Sequence, residues 1–330
     1  MSPKIGIPRA LLYYYYYPLW RTFFEELGAE VIVSSPSTKE VLARGLEKAV
    51  DEICLPVKIA YGHVLDLAGK ADFIFLPRIV SVRRREYICP KFLGFPDIIR
   101  RIGGLPPLLD VNINLYRDKK DSFRSAVEVG RLFTGNPLKI WSAYRRAVKT
   151  NKKYFRLLQL GLMPEEALAV LEKKVGKKPP LVDENGTVAL IGHPYILHDP
   201  YISMNITGRL RSMGAAVVTA EGLSGKTIRK YAARLPKKLF WTLGQRLIGA
   251  AYHYLENSTV KGMVHVAAFG CGLDSITGEL IERRARAAGM PFLNITVDEH
   301  TGEAGIITRL EAFMDMAGWK AGGRAACSIR

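Results

Sequence analysis

One pattern occurs twice in this chain. Ile5-Gly6-Ile7-Pro8 precedes a helical stretch and then Leu27-Gly28-Ala29-Glu30-Val31-Ile32-Val33; Ile191-Gly192-His193-Pro194 precedes a helical stretch and then Met213-Gly214-Ala215-Ala216-Val217-Val218. Gly6 to Gly28 and Gly192 to Gly214 are both 22 residues apart. Each unit reads as a strand, a Gly/Pro turn, a helix closed by glycine, and a second buried strand. That is the start of a βαβ unit, and it predicts parallel sheets with helices on both faces.

Both halves continue with apolar runs of strand length, Ala71 to Val80 and Gly262 to Phe269. The first ends near Cys89 and the second directly before Cys271. Open parallel sheets bind ligands beyond the carboxyl ends of their strands, so two cysteines are predicted at equivalent sheet edges of two similar halves. Between the halves, Ser122 to Phe133, Leu138 to Leu160 and Pro164 to Val175 carry apolar residues at helical spacing, with Ile140, Tyr144 and Val148 marking one face. Lys177-Lys178-Pro179-Pro180 reads as a linker. The expected organisation is an α/β domain over 1–115, a basic helical subdomain and linker over 116–180, and a second α/β domain over 181–330.

Charge is concentrated in that middle segment. From Tyr116 to Pro180 there are 16 Lys and Arg against 6 Asp and Glu, which is +10 of the total +17. Such a balance favours anionic partners. No nucleic-acid recognition module or aromatic RNA-binding sheet motif accompanies it or Arg83-Arg84-Arg85, so protein docking is expected and nucleic acid is not. The run Ala10 to Trp20, with five tyrosines and Pro18, is too short to span a membrane, and no secretory leader pattern opens the sequence. A cytoplasmic location is expected, and there cysteines stay reduced.

Of the four cysteines, three stand beside Pro or Gly at the edge of an element: Cys54 before Leu55-Pro56, Cys89 before Pro90-Lys91, and Cys271 between Gly270 and Gly272. Turns of this kind present a thiolate and backbone N–H groups to one point, as iron–sulfur ligands require. Buried, inert cysteine is the competing reading. Cys327, near the end of the chain, is a bystander in either case. Gly270-Cys271-Gly272-Leu273-Asp274-Ser275 nearly fits a dinucleotide fingerprint, but Ser275 replaces its third glycine; Ala220 to Thr227 nearly fits a phosphate loop, but Ala220 replaces its first. Helix-opening N–H groups at 270–275 serve an anionic cluster equally well. Polar groups also gather at strand ends, with His193 and Tyr195 in one place and His300 and Glu303 in another.

Six strings together resemble the iron–sulfur subunits of the 2-hydroxyacyl-CoA dehydratase family, in particular stand-alone relatives linked to acyl-CoA dehydratase activases. They are KIGIPR (4–9), EICLPVK (52–58), YICPKFLG (87–94), IGHPYILHD (191–199), FGCGLDS (269–275) and DEHTGEAGIITRLEAF (298–313). The resemblance implies two flavodoxin-like or Rossmann-like α/β domains with a helical part, and a [4Fe–4S] cluster in the interdomain cleft, alone or within a larger coupled cluster. It implies Cys54, Cys89 and Cys271 as metal ligands, with Pro90, Lys91, Gly270, Gly272 and Ser275 lining the cluster. His193, His300 and Glu303 are the expected catalytic groups. It further implies a separate ATP-dependent activase that carries its own cluster and supplies low-potential electrons. The substrate is then an acyl-CoA, dehydrated by radical chemistry, or a small reducible molecule. A related second subunit or a homodimer is expected to complete the assembly. The competing function is an electron relay or cluster carrier without its own substrate, or a structural metal or nucleic-acid-binding protein.

Overall fold

The computed structural model describes residues 2–116, 118, 120–174, 176 and 186–319. The linker at 177–180 and Cys327 lie outside the described residues. Strands β1 (Lys4–Ile7), β2 (Glu30–Val33), β3 (Phe73–Phe75), β4 (Arg78–Ser81), β5 (Leu108–Leu109) and β6 (Asn112–Asn114) belong to the first half, and β7 (Thr187–Gly192), β8 (Ala216–Thr219), β9 (Val260–Ala268) and β10 (Phe292–Val297) to the second. The first sheet has the order β2-β1-β3-β5 and the second β8-β7-β9-β10, with every pairing parallel. In each half the order is therefore second, first, third, fourth. The repeat in the sequence is a repeat in topology, and the chain is an α/β protein of parallel sheets.

The apolar run at 71–80 is not one strand. Phe75 pairs with Leu109 in the main sheet, whereas Arg78 to Ser81 pairs with Asn112 to Asn114 in a separate two-stranded ladder. Pro77 stands at the break, and without an N–H it cannot donate to a ladder. Cys89 is consequently reached by a return from β4, with Ile88 N–H bonded to Val80 O at 3.1 Å, and not directly from the main sheet edge.

The helix Tyr13–Leu27 explains the tyrosine run. Tyr13, Tyr14, Tyr15 and Tyr17 are all buried, because this helix is covered by its own sheet, by the helix Pro137–Gln159 and by the second half. Pro18 inside it leaves the Tyr14 carbonyl without its helical donor. The Tyr154 hydroxyl, from Pro137–Gln159, donates to that carbonyl at 2.8 Å. The middle helices are thus docked on the first half, with Ile140, Ala143 and Ala147 in the same apolar core. Their buried face runs through Ile140, Ala143, Ala147, Asn151, Tyr154 and Leu158, rotated from the expected Ile140–Tyr144–Val148 stripe. Alanines let the two helices approach closely, while Tyr144 and Val148 sit at the margin.

The halves are joined by buried polar chains. Arg9 N–H donates to Ser34 Oγ at 2.8 Å, Ser34 and Ser37 flank the two ring nitrogens of His63 at 2.9 Å each, and Ser37 donates to Asp199 of the second half. One proton arrangement satisfies every member. Ser34 O–H donates to Nδ1, Nε2–H donates to Ser37, and His63 is neutral. Burial, with the nearby Arg9 charge, pushes its pKa down to about 4. A second chain runs from the Tyr15 hydroxyl to Glu221 Oε1 at 3.1 Å, and Glu221 also holds His198 at 3.3 Å.

Two outcomes are expected. Tyr154→Phe orphans a buried carbonyl and costs about 1–3 kcal/mol; in a Pro18→Ala background, where an amide N–H returns, a denaturation double-mutant cycle should recover most of that loss. His63 titrates near ~6.5 when unfolded and near about 4 when folded, so its contribution is complete above the higher value and fades as pH falls towards the lower. The stability gap between the native chain and His63→Gln should therefore narrow by about 2 kcal/mol between pH 7 and pH 5.

Candidate functional site

Each of the three cysteines is the residue that opens a helix. Cys54 precedes Leu55–Asp66, Cys89 precedes Pro90–Ile99, and Cys271 precedes Gly272–Ala287. The prolines at 56 and 90 suit the first turn, where an N–H has no helical partner. A helix start exposes free N–H groups and the positive end of the helix dipole.

These three helix starts converge from both halves. A methyl group placed on Gly270 would lie 3.6 Å from the α-carbon of Cys54, and Gly270 itself has the left-handed backbone (φ 74°) that glycine tolerates. Lys91, two residues beyond Cys89, donates its ammonium to the Gly270 carbonyl at 3.2 Å. Backbone bonds fix the same edge, from Tyr87 N–H to Phe240 O at 2.8 Å and from Thr242 N–H to Tyr87 O at 3.0 Å.

Beside the cysteines sits a buried polar group. His193, at the end of β7, is 1% exposed; its Nε2 lies 2.9 Å from Asp274 Oδ1, and its ring stacks on Tyr195 at 5.0 Å. Neither ring nitrogen has an aligned hydrogen-bond partner among the described residues, so there His193 Nδ1 is an orphaned buried atom. Asp274 also accepts from Ala268 N–H at 3.2 Å. Burial alone would raise the Asp274 pKa, but His193, His265 and the Ala268 N–H together outweigh it and the carboxyl sits below its usual range. Donor atoms of His193, Cys271 and Asp274 all lie within 4.8 Å of one another.

Burial pushes the Cys89 thiol up, against the N–H groups of Lys91 and Phe92, and the Cys54 thiol adds to the rise. Cys271 is pushed up further, first by burial and then by Asp274, with Cys54 again contributing. Tyr195 is raised by burial, then by Asp274 and by all three cysteines, so the thiols share one neighbourhood around its hydroxyl. Cys89 and Cys271 thus resist ionisation when bare; a bound polycation reverses that balance and favours the thiolate form. Three soft sulfur donors, converging helix N-termini and an orphaned imidazole nitrogen fit a thiolate-held metal centre.

The other expected residues divide. Lys91 and Gly270 are at the convergence, and a side chain on Gly272 would meet open space. Pro90 is exposed at the helix start. Ser275 spends its hydroxyl on the Cys271 carbonyl at 3.1 Å. His300 is exposed, and its backbone N–H donates to Asp298 Oδ1 at 2.9 Å. Glu303, 62% exposed, is paired with Arg209 on the outer helix Ile206–Ser212. Its neighbour Glu299 is the acidic group that reaches a cysteine helix, bonding buried Lys58 at 2.5 Å. Asp274, Lys58 and Glu299 were not singled out from the sequence. The available signal was spacing, since Asp274 and Lys58 stand three and four residues after a cysteine, one helical turn in. The near phosphate loop is structural: Ser224 caps Gly225–Ala232, and Glu221 is buried on His198 with its pKa lowered to about 2.

Glu299→Ala strands the buried Lys58 ammonium and is expected to cost about 3 kcal/mol in chemical denaturation, while Lys58→Met with Glu299→Leu should recover most of it.

The family model described as the CoA enzyme activase uncharacterised domain matches residues 4–223, two thirds of the chain. A search of curated proteins gives no match. The matched span contains both repeated units, Cys54, Cys89 and His193, and by that match the chain belongs to the CoA enzyme activase uncharacterised domain family.

Proposed function

We propose that Cys54, Cys89 and Cys271 hold an iron–sulfur cluster of the [4Fe–4S] type, alone or within a larger coupled cluster. The protein then serves as the cluster-bearing component of a 2-hydroxyacyl-CoA dehydratase-like or ATP-dependent reductase system. The observation that carries this reading is the convergence of three cysteine-opened helix starts from both halves on Gly270 and Tyr195. When bound, the cluster supplies a low-potential one-electron centre with one iron free of protein thiolate. Electrons come from a separate ATP-dependent activase with its own cluster, in keeping with the activase-related family. The substrate is an acyl-CoA or a small reducible molecule.

The chain's own residues have definable tasks in this reading. The helix starts offset the negative charge of a thiolate-rich centre. Lys91 holds the 270 turn against the Cys89 helix. His193, fixed by Asp274 and Tyr195, keeps one ring nitrogen free to hold a proton or hydrogen-bond a bound group beside Cys271. Of the three candidate groups, Glu303 is held by Arg209 and His300 is exposed, which leaves His193 as the buried one.

A second reading, a single metal ion on His193, Cys271 and Asp274, draws on the closeness of those three donors. Anaerobic purification with iron and acid-labile sulfide assays separates the two. About four iron and four sulfide per chain are expected, with most of both lost in Cys54→Ala, Cys89→Ala and Cys271→Ala. Cys327→Ala should keep full content. One metal without sulfide, retained in Cys54→Ala and Cys89→Ala, would establish the single-ion site instead. Turnover with an activase, ATP and a panel of acyl-CoAs or small reducible molecules then distinguishes an enzyme component from an electron carrier.

A further inference from the structure

Away from the cysteines, the first half and the middle helices line an open-mouthed apolar cavity of about 280 Å³. Trp20, Phe23 and Phe24 wall it from one helix, Phe75 and Ile113 from the strands, and Val129 from the helix Asp121–Gly130. Protein interiors are close-packed, and apolar walls left unfilled over this volume forfeit packing contacts. It is nearly twice the roughly 150 Å³ apolar cavity that stays dry and takes up benzene, so a tail of about eight to ten carbons fits. Its few polar atoms include the Ser122 and Tyr144 hydroxyls, already bonded to each other at 2.8 Å. Nothing in the wall invites a charge.

The edge of the cavity is different. Val82 and Leu115 line both this cavity and a cationic groove of about 960 Å³ between the halves. Arg83, Arg84, Arg229 and Lys238 line that groove. Its one carboxylate, buried Glu86, is engaged by Arg83 at 3.7 Å and Lys238 at 3.3 Å. Arg84 and Arg229 have no ion-pair partner among the described residues. An apolar chamber thus adjoins a surplus of positive charge. We propose that this pair of spaces is a binding site for an amphipathic anion, a medium-length aliphatic or aromatic tail carrying a carboxylate or phosphate. The tail occupies the aromatic chamber and the head lies against Arg83 and Arg84. Because the chamber is walled by strands β4 and β6 and by the middle helices, an occupant joins those elements and steadies the return to Cys89.

The test uses the full chain, purified anaerobically, with octanoate, octyl phosphate, octanol and inorganic phosphate as probes in calorimetry and thermal melting. One anionic amphiphile or both should bind saturably at one site and raise the melting temperature; octanoate and octyl phosphate together distinguish a carboxylate head from a phosphate one. Octanol should bind at least tenfold more weakly, and inorganic phosphate should show no saturable binding. Val129→Phe, which fills the chamber, should abolish amphiphile binding. Arg84→Glu should weaken the anions at least fivefold and leave octanol unchanged. If Val129→Phe loses its native circular dichroism, Ala126→Leu fills the same space more gently and decides the point. Absence of saturable binding by every amphiphile, octanol binding as tightly as the anions, or undiminished binding in a folded, filled variant would each overturn the proposal.

Discussion

The helix Tyr13–Leu27 is the wall that all other parts share. The first sheet packs on it, the middle helices dock on it, and the second half reaches it through His198 and Glu221. A helix covered from so many sides must be apolar nearly all round, yet each contact must also be oriented. Tyrosine meets both demands, with a large ring for burial and a hydroxyl for direction. Pro18 adds a more specific device. By withholding one N–H it creates a single buried acceptor, and only a donor arriving from outside the helix at the correct height can satisfy it. Tyr154 is that donor. A missing hydrogen bond in one helix therefore fixes the position of another.

That wall matters because the cysteines do not belong to one half. Cys54 and Cys89 stand on the first and Cys271 on the second, with separations of 35 and 182 residues along the chain. Their approach depends on how the halves meet. Polar contacts set that meeting, among them the chain from Arg9 through His63 to Asp199, Tyr15 on Glu221, Lys58 on Glu299 and Lys91 on the Gly270 carbonyl. Buried polar contacts add little net stability, but they penalise every misaligned alternative heavily. Specificity of alignment is what a site split between two halves requires.

Much of this was legible in the sequence, and the failures have physical causes. The topology could be read because two glycines 22 residues apart mark the same helix length in each half. The cysteines could be picked out because Pro and Gly beside them mark element edges. The strand at 71–80 was misread because apolar content does not register a break, although Pro77 was there to signal it. The buried stripe of Pro137–Gln159 was misplaced because Ala143, Ala147 and Asn151 are small or polar, and small residues are what close helix contacts need. Position at a strand end is what points to His300 and Glu303 in the sequence. Strand-end position names a neighbourhood of several residues, and only packing decides that Glu299 turns towards Lys58 while Glu303 turns to Arg209.

The electrostatics of the cysteine cleft connect its chemistry to its architecture. The Cys89 and Cys271 thiols, pushed up by burial and by the Cys54 thiol, ionise poorly on their own, so they suit a bound cation better than a role as free nucleophiles. A ligand that binds only when all three thiols are together binds only the aligned arrangement of the halves. Its binding free energy then adds to the stability of that arrangement, by the same linkage that makes metal binding part of folding in small metal-held domains. The reverse follows with equal force. Whatever separates Lys58 from Glu299 or His63 from its serines raises the free energy of bringing Cys271 to Cys54. The polar contacts between the halves therefore govern how readily the three thiols are brought together.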